Sequence, residues 1–315
     1  MEQFKLLFVL ISCFPMLVHG QSAETGPGSK PPVLRALMNN PDPLKWKQYD
    51  SVPLSFNSFH TQGLLKIGDF FYLSAVEVRR WPRTYGRLID GLDRDTGDGT
   101  GHLFKFDAKG NLVQQITLGE GSRYHPGGID YDGNCIWVPV CEYRPNGSAI
   151  LYRVDPNTME AEKIDTCKDA IGAVAFDRQK RQLIGMNWDS QKFYRWHWNE
   201  RTGRIKLKEV QNNSHHFIRY QDCFNIGEGY FLCSGLRGYT YVKEATLSRL
   251  NIGGLQALRF RDFAAVADIP VPVWKKEGIA LNNNPFFAEN TAQGVFLYFI
   301  PEDNQSNLYI YQLVP

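Results

Sequence analysis

From residue 60 onward, short apolar segments come in pairs separated by tight turns. His60 to Arg79 reads HTQGLLKIGDFFYLSAVEVR: an apolar segment, a Gly-Asp turn, then a strand rich in aromatic and β-branched residues. That grammar predicts a β-hairpin. It returns at His125 to Arg144, Asp169 to Asp189, Tyr220 to Arg237 and Lys275 to Asp303. Each hairpin is followed by a further strand or strand pair. Examples are Gly101 to Leu118 around Asp107-Ala108-Lys109-Gly110-Asn111, Ala149 to Ile164 around Asp155-Pro156-Asn157-Thr158, and Lys192 to Val210. The Asp, Asn, Pro and Gly between the strands suit tight reversals.

The first two hairpins align without a gap at an offset of 65 residues, so His60 meets His125, Gly63 meets Gly128, Tyr72 meets Trp137, Glu77 meets Glu142 and Arg79 meets Arg144. A repeat of four antiparallel strands in about 44 to 65 residues matches one propeller blade. The expectation is therefore an all-β fold, a five-bladed β-propeller over residues 45–315. The fifth unit ends early, at Asn307 to Leu313. Its outermost strand is expected from Trp46 to Phe56, which closes the ring and hides an open edge. A six-bladed, TolB-like ring is the alternative, because Gly238 to Ile269 is long enough to conceal a unit. A β-sandwich fits the regular repeat less well.

The ends add a compartment. Lys5, the apolar run Leu6 to Leu17 and Val18-His19-Gly20 read as a secretory signal peptide over residues 1–20. A polar extension, 21–44, follows. No other apolar stretch reaches membrane length, so a secreted chain without a membrane span is expected. Secretion permits disulfides. Five of the 6 cysteines lie beyond the leader, an odd number, and Cys223 with Cys233 is the best hairpin bridge. Asn146, Asn212 and Asn304 stand in glycosylation sequons. The net charge of +2 gives no reason to expect nucleic acid.

Blade geometry says where chemistry gathers. The start of each innermost strand and the end of the second share one face of the disc, so those residues converge on the central opening. They are His60, Gln62, His125, Asp169, Asp222 and Glu277 at the starts, and Glu77, Arg79, Glu142, Arg144, Asp189, Arg237, Glu302 and Asp303 at the ends. Carboxylates with imidazoles suit a divalent cation, calcium where oxygens dominate and zinc where two His join. His60, His125, Asp222 and Glu277 are the candidate ligands, and Glu77, Glu142 and His125 the candidate catalytic groups. The Glu-x-Arg pairs also read as rim ion pairs. Asp90 to His102 fails the calcium-loop template and is expected as a flexible flap over the opening. Trp196 and Trp198 share a strand face, which predicts packing between blades. Gly-x-Ser-x-Gly, phosphate-loop, His-Glu-x-x-His and dinucleotide signatures do not occur.

Glu277-Gly278-Ile279 resembles the inner-strand opening of the SMP-30, gluconolactonase and strictosidine-synthase-like propellers, a resemblance that implies a calcium-ligating Glu277. Thr61-Gln62-Gly63-Leu64 resembles the opening of secreted, five-bladed plant-type glutaminyl cyclases. Those continue Tyr-Glu-Ser-Thr-Gly, where this chain has Tyr72-Leu73-Ser74-Ala75-Val76, so Glu77 would have to supply the acid. From Trp46 to Leu313 the chain is most similar to secreted propellers grouped as a domain of unknown function. The leading expectation is a propeller binding a small-molecule, peptide or glycan ligand at its funnel, as a metal-assisted hydrolase or lyase using a carboxylate or His as base. The alternatives are a non-catalytic protein- or glycan-binding module and a glutaminyl-cyclase-like acyltransferase.

Overall fold

The structure is a computed structural model, and it describes residues 30–40, 42, 45–243, 246–271, 273–275 and 278–314. The leader at 1–20 and Glu277 lie outside the described residues. The segment expected as a polar extension holds a helix, α1 (Pro32–Asn39). Pro32 opens it, as suits a first-turn position, and Val33, Leu34 and Leu37 are buried. These side chains join the largest apolar cluster, and the helix packs on the fourth and fifth sheets described below. Spacing of i, i+1 and i+4 is enough for one apolar stripe on so short a helix.

The strands follow the repeat. β1 (Trp46–Pro53) precedes β2 (His60–Ile67), β3 (Phe70–Arg80), β4 (Thr84–Ile89), β5 (Leu92–Arg94), β6 (Asp98–Asp107) and β7 (Leu112–Leu118). The second unit is β8 (Arg123–Pro126), β9 (Asp130–Tyr131), β10 (Ile136–Glu142), β11 (Ala149–Val154) and β12 (Ala161–Cys167). The third is β13 (Ile171–Asp177), β14 (Gln182–Asn187), β15 (Lys192–Asn199) and β16 (Arg204–Asn212). The fourth is β17 (Arg219–Gly227), β18 (Tyr230–Lys243), β19 (Thr246–Arg259) and β20 (Ala265–Pro270). The last is β21 (Phe286–Thr291), β22 (Gly294–Phe299) and β23 (Asn307–Leu313).

Among the described residues these form six antiparallel sheets. Five are blades, in the orders β2-β3-β6-β7, β8/β9-β10-β11-β12, β13-β14-β15-β16, β17-β18-β19-β20 and β21-β22-β23-β1, and the sixth is the hairpin β4-β5. β1 pairs antiparallel with β23 from Trp46↔Leu313 to Pro53↔Asn307, so the N-terminal strand closes the last blade as its position in sequence suggested. Gly238 to Ile269 conceals no extra unit. β18 and β19 pair with β17 and β20 only as far as Leu236 and Gly254, and beyond that they pair with each other out to Lys243↔Thr246. The excess length is an arm that rises from the fourth blade.

Two buried carboxylates hold the axis. Asp222, on β17, accepts the backbone N–H of Leu64 in the first blade (2.8 Å), Ile129 in the second (3.1 Å) and Phe286 in the fifth (3.4 Å). Asp130, in the second blade, accepts Phe176 N–H of the third (2.7 Å) and Asn225 N–H of the fourth (3.0 Å). Together they touch all five blades. The inner strands meet backbone to backbone: a Cβ on Gly127 would lie 1.9 Å from the Gly172 carbonyl oxygen, and one on Gly128 2.6 Å from the Asp222 Cα. That contact explains why the first two repeats share a glycine at this point, Gly63 with Gly128. Farther out, Trp137, Trp196 and Trp198 are buried together with Phe176 between the second and third blades, as the alternation on β15 predicted. Burying each such side chain stabilises the fold by about 1.5–3 kcal/mol.

Candidate functional site

On the face where β2 and β8 begin, a cavity of about 390 Å³ draws its lining from the edges of all five blades. His60 and Gln62 come from the first, His125, Cys141 and Tyr143 from the second, and Asn187, Trp188 and Asp189 from the third. The fourth gives Arg219, Tyr220, Gln221, Gly238 and Asn251, and Asn283 and Asn284 lead into the fifth. The funnel expected from blade geometry is therefore where the repeat placed it.

His125 is 6% exposed, and neither ring nitrogen has a hydrogen-bond partner. It pairs across the ladder with Cys141, and its ring lies 4.0 Å, centroid to centroid, from Tyr143. Burial, and then the neighbouring His60, pull its pKa down to about 3, so the imidazole is neutral at ordinary pH. A neutral ring offers one donor and one acceptor, both left unmet by the protein. His60 differs. Its Nδ1 lies 3.0 Å from Asp303 Oδ1, and that oxygen also accepts Asn284 Nδ2 at 3.1 Å. The carboxylate thus sets the tautomer with Nδ1 protonated and Nε2 free to accept a proton. The two imidazole centroids are 6.1 Å apart. Burial pushes the Cys141 thiol up to about 12, which removes it as a nucleophile.

Aromatic rings crowd one side. Tyr143 lies 5.8 Å from Trp188 and 5.8 Å from Trp81, and Trp81 lies 6.0 Å from His60. Beside Trp188 the chain bends sharply: Asp189 and Ser190 both take left-handed φ values, 58° and 55°. Such strain in non-glycine residues is concentrated at functional sites. It turns Asp189 towards Arg219, 3.0 Å away.

The flap expected at Asp90 to His102 does interrupt the first blade, but it is folded. β4 and β5 turn at Asp90 and Gly91, both with positive φ, and Asp98 to His102 already belong to β6. Asn146 Nδ2 donates to Gly91 O (3.1 Å), and the Arg94 guanidinium lies 5.8 Å from the Trp188 ring centroid. The hairpin therefore reaches across the second blade to the third, beside the opening.

Several expected site residues are not brought together. Glu142 alternates with Cys141 and Tyr143 along its strand and so points off the cavity. Its carboxylate binds Arg144 Nε (2.7 Å), Ser122 Oγ (2.9 Å) and Ser148 Oγ (3.3 Å), a structural clamp. Glu77 lines a neighbouring depression and lies 3.8 Å from His102 Nε2, while Arg79 pairs with Asp98. Asp169 accepts Asn187 Nδ2 and the Tyr194 hydroxyl. Glu302 is held by Lys275 and Tyr309. Asp222 spends both oxygens on the axis. Among the described residues no three His, Cys, Asp or Glu side chains come together as a metal-ligand set. His60 and His125 alone do not make a calcium or zinc site.

The sequence did not single out Tyr143, which follows Glu142, Trp188, which precedes Asp189, or Trp81, which follows Arg80. Asn146, Asn212 and Asn304 are all exposed. Cys223 and Cys233 form the expected disulfide, leaving Cys135, Cys141 and Cys167 free.

Fold and site together define a β-propeller with a ligand-sized cavity at one end of its axis. Residues 34–315 match the Family of unknown function (DUF6454), and the chain belongs to that family. No protein with a curated description matches. Among solved structures, the tail fibre of Staphylococcus aureus phage P68 is similar with a TM-score of 0.49 at 9% identity, over 87% of this chain and 54% of that one. The chain thus spans about half the length of that fibre. A luciferin-regenerating enzyme gives 0.46 at 6% identity, over 84% of this chain and 95% of the other, and the RRP9 WD40 repeats give 0.43 at 10%, over 82% and 84%.

Proposed function

We propose that this protein is a secreted propeller that binds a small ligand in the five-blade cavity and acts on it by acid–base chemistry, as a hydrolase or lyase. One observation carries the reading: two imidazoles in one cavity have opposite settings. His60, oriented by Asp303, is the base, with Nε2 taking a proton from water or from a ligand hydroxyl. His125, neutral and unpartnered, hydrogen-bonds the ligand and fixes its pose. A glutaminyl-cyclase-like reading has no support from position, because it needs Glu77 in the cavity.

Ring-nitrogen NMR on the histidines of the mature chain tests the reading. His60 is expected to report the Nδ1–H tautomer and to lose it in Asp303→Asn. Hits from a small-molecule library are expected to move His60 and His125 together, and turnover of a hit should vanish in His60→Ala. A library whose hits move neither ring refutes it.

A non-catalytic interaction module is the second reading, favoured by the β18–β19 arm. There Tyr239, Tyr241, Leu250 and Ile252 are exposed, with Val242 71% and Leu247 74% accessible. Secretion is supported by the leader pattern and by a disulfide. Expression of the full chain in a secretory host should deliver it to the medium, with a mobility shift on removing N-glycans. Retention inside the cell refutes secretion.

A further inference from the structure

We propose that the ligand of the five-blade cavity is a neutral saccharide. The inference rests on the reading that this cavity is a ligand site and adds the class of molecule it takes. The argument begins with charge. The ionic groups in or beside the lining already have partners: Asp189 pairs with Arg219 and Arg94 with Asp93, while the Asp303 carboxylate is hydrogen-bonded by His60 and Asn284. An anion entering the cavity finds its cation occupied, and a cation finds its carboxylate occupied. Charged ligands therefore bind only by breaking a pair that exists without them.

The uncharged groups point to hydroxyls. Gln221 and Asn251 line the cavity without a side-chain hydrogen bond among the described residues. Gln62 uses its Nε2 on the Thr61 carbonyl, which leaves its oxygen to accept. His125 presents one donor and one acceptor, buried and unmet. Each amide also offers both kinds of group. A hydroxyl is donor and acceptor at once, so a hydroxyl-rich ligand satisfies this set, whereas a hydrocarbon leaves every member unpaired.

Placement completes the match. Tyr143 and Trp188 stand together on the second and third blades, their planes inclined at 52°. Gln221, Asn251, Asn283 and Asn284 come from the fourth blade and the approach to the fifth. The cavity thus has an aromatic side and an amide side. A sugar ring has the same two characters: a C–H face that stacks on aromatics and a rim of hydroxyls.

The test uses the full mature chain, on a glycan array and then by calorimetry. Probes are neutral mono- and disaccharides of glucose, galactose, mannose, xylose and N-acetylglucosamine. Glucuronate, glucosamine and adenosine are the comparison probes. At least one neutral sugar is expected to bind saturably, with its charged counterpart about tenfold weaker. Trp188→Ala and His125→Ala should each weaken binding at least about tenfold, with circular dichroism unchanged, and Lys163→Gln on an outer strand should leave it alone. Binding confined to charged sugars or adenosine, and lost in His125→Ala, overturns the saccharide class while the cavity remains a ligand site. Sugar binding indifferent to both cavity variants overturns the cavity reading as well. Absence of neutral-sugar binding from array and calorimetry overturns the proposal outright.

Discussion

Replacing Asp222 by alanine removes the acceptor that three blades share. The N–H groups of Leu64, Ile129 and Phe286 lie too deep at the axis for water to take its place, because Asp222 is 1% exposed and glycine backbones crowd it. Each orphaned group costs about 1–3 kcal/mol, or about 3–9 kcal/mol for three. Burial pushes the Asp222 pKa well above the ordinary carboxylate range. Its removal therefore relieves a desolvation cost that offsets part of the loss. The net expectation is a destabilisation of about 3–5 kcal/mol, against a total of about 5–15 kcal/mol for a typical domain. Asp222→Asn keeps one acceptor oxygen but turns an NH₂ towards an N–H donor, so it should fall between wild type and alanine. Urea unfolding followed by tryptophan fluorescence and circular dichroism measures both. A loss below about 1 kcal/mol in Asp222→Ala, at unchanged urea dependence, would show that these hydrogen bonds do not hold the axis.

Three further expectations concern the same architecture. Burial raises the Asp130 pKa to about 7, above the unfolded value of about 3.9, so the folded state holds this proton more tightly. Its contribution is full below about pH 3.9 and is lost as pH rises through 7, by up to about 4 kcal/mol; unfolding between pH 4.5 and 8 should show the decline, and Asp130→Asn should flatten it. Converting both Cys223 and Cys233 to alanine opens a loop spanning a separation of 10 residues and should cost about 2–3 kcal/mol in thermal or urea unfolding; an unchanged midpoint would contradict this. His125→Leu removes an unsatisfied buried imidazole and should leave the melting temperature unchanged or raise stability by about 1 kcal/mol while ending ligand binding. A large drop in melting temperature would assign His125 to the framework instead.

Hairpin grammar, the closing strand, the Cys223–Cys233 bridge and the converging funnel were legible because each is local or follows from repetition. The offset that matched His60 with His125 placed both rings in one cavity. It also matched Glu77 with Glu142, yet neither faces that cavity. Strand alternation puts Glu142 on the face opposite Cys141 and Tyr143, and a count of strand ends does not reveal which parity points inwards. Asp222 looked like a candidate ligand because it begins an inner strand; the structure uses it to bind backbone. α1 was missed because an apolar run only two turns long, Val33 to Met38, carries too little periodicity to stand out from the polar residues before it.

The order of hydrophobic and turn residues determined the strands and their antiparallel pairing within each unit, since these rest on contacts between near neighbours in the chain; whether Gly238 to Ile269 added a sixth unit was decided only by the pairing of β18 with β19. The direction each polar side chain takes was decided only by the closed ring. Asp130 and Asp222 reach N–H groups of strands up to 158 residues away. His60 meets Asp303 across 243 residues. Such partners are set by the angle at which blades meet about the axis, a property of the assembled disc and of no single segment.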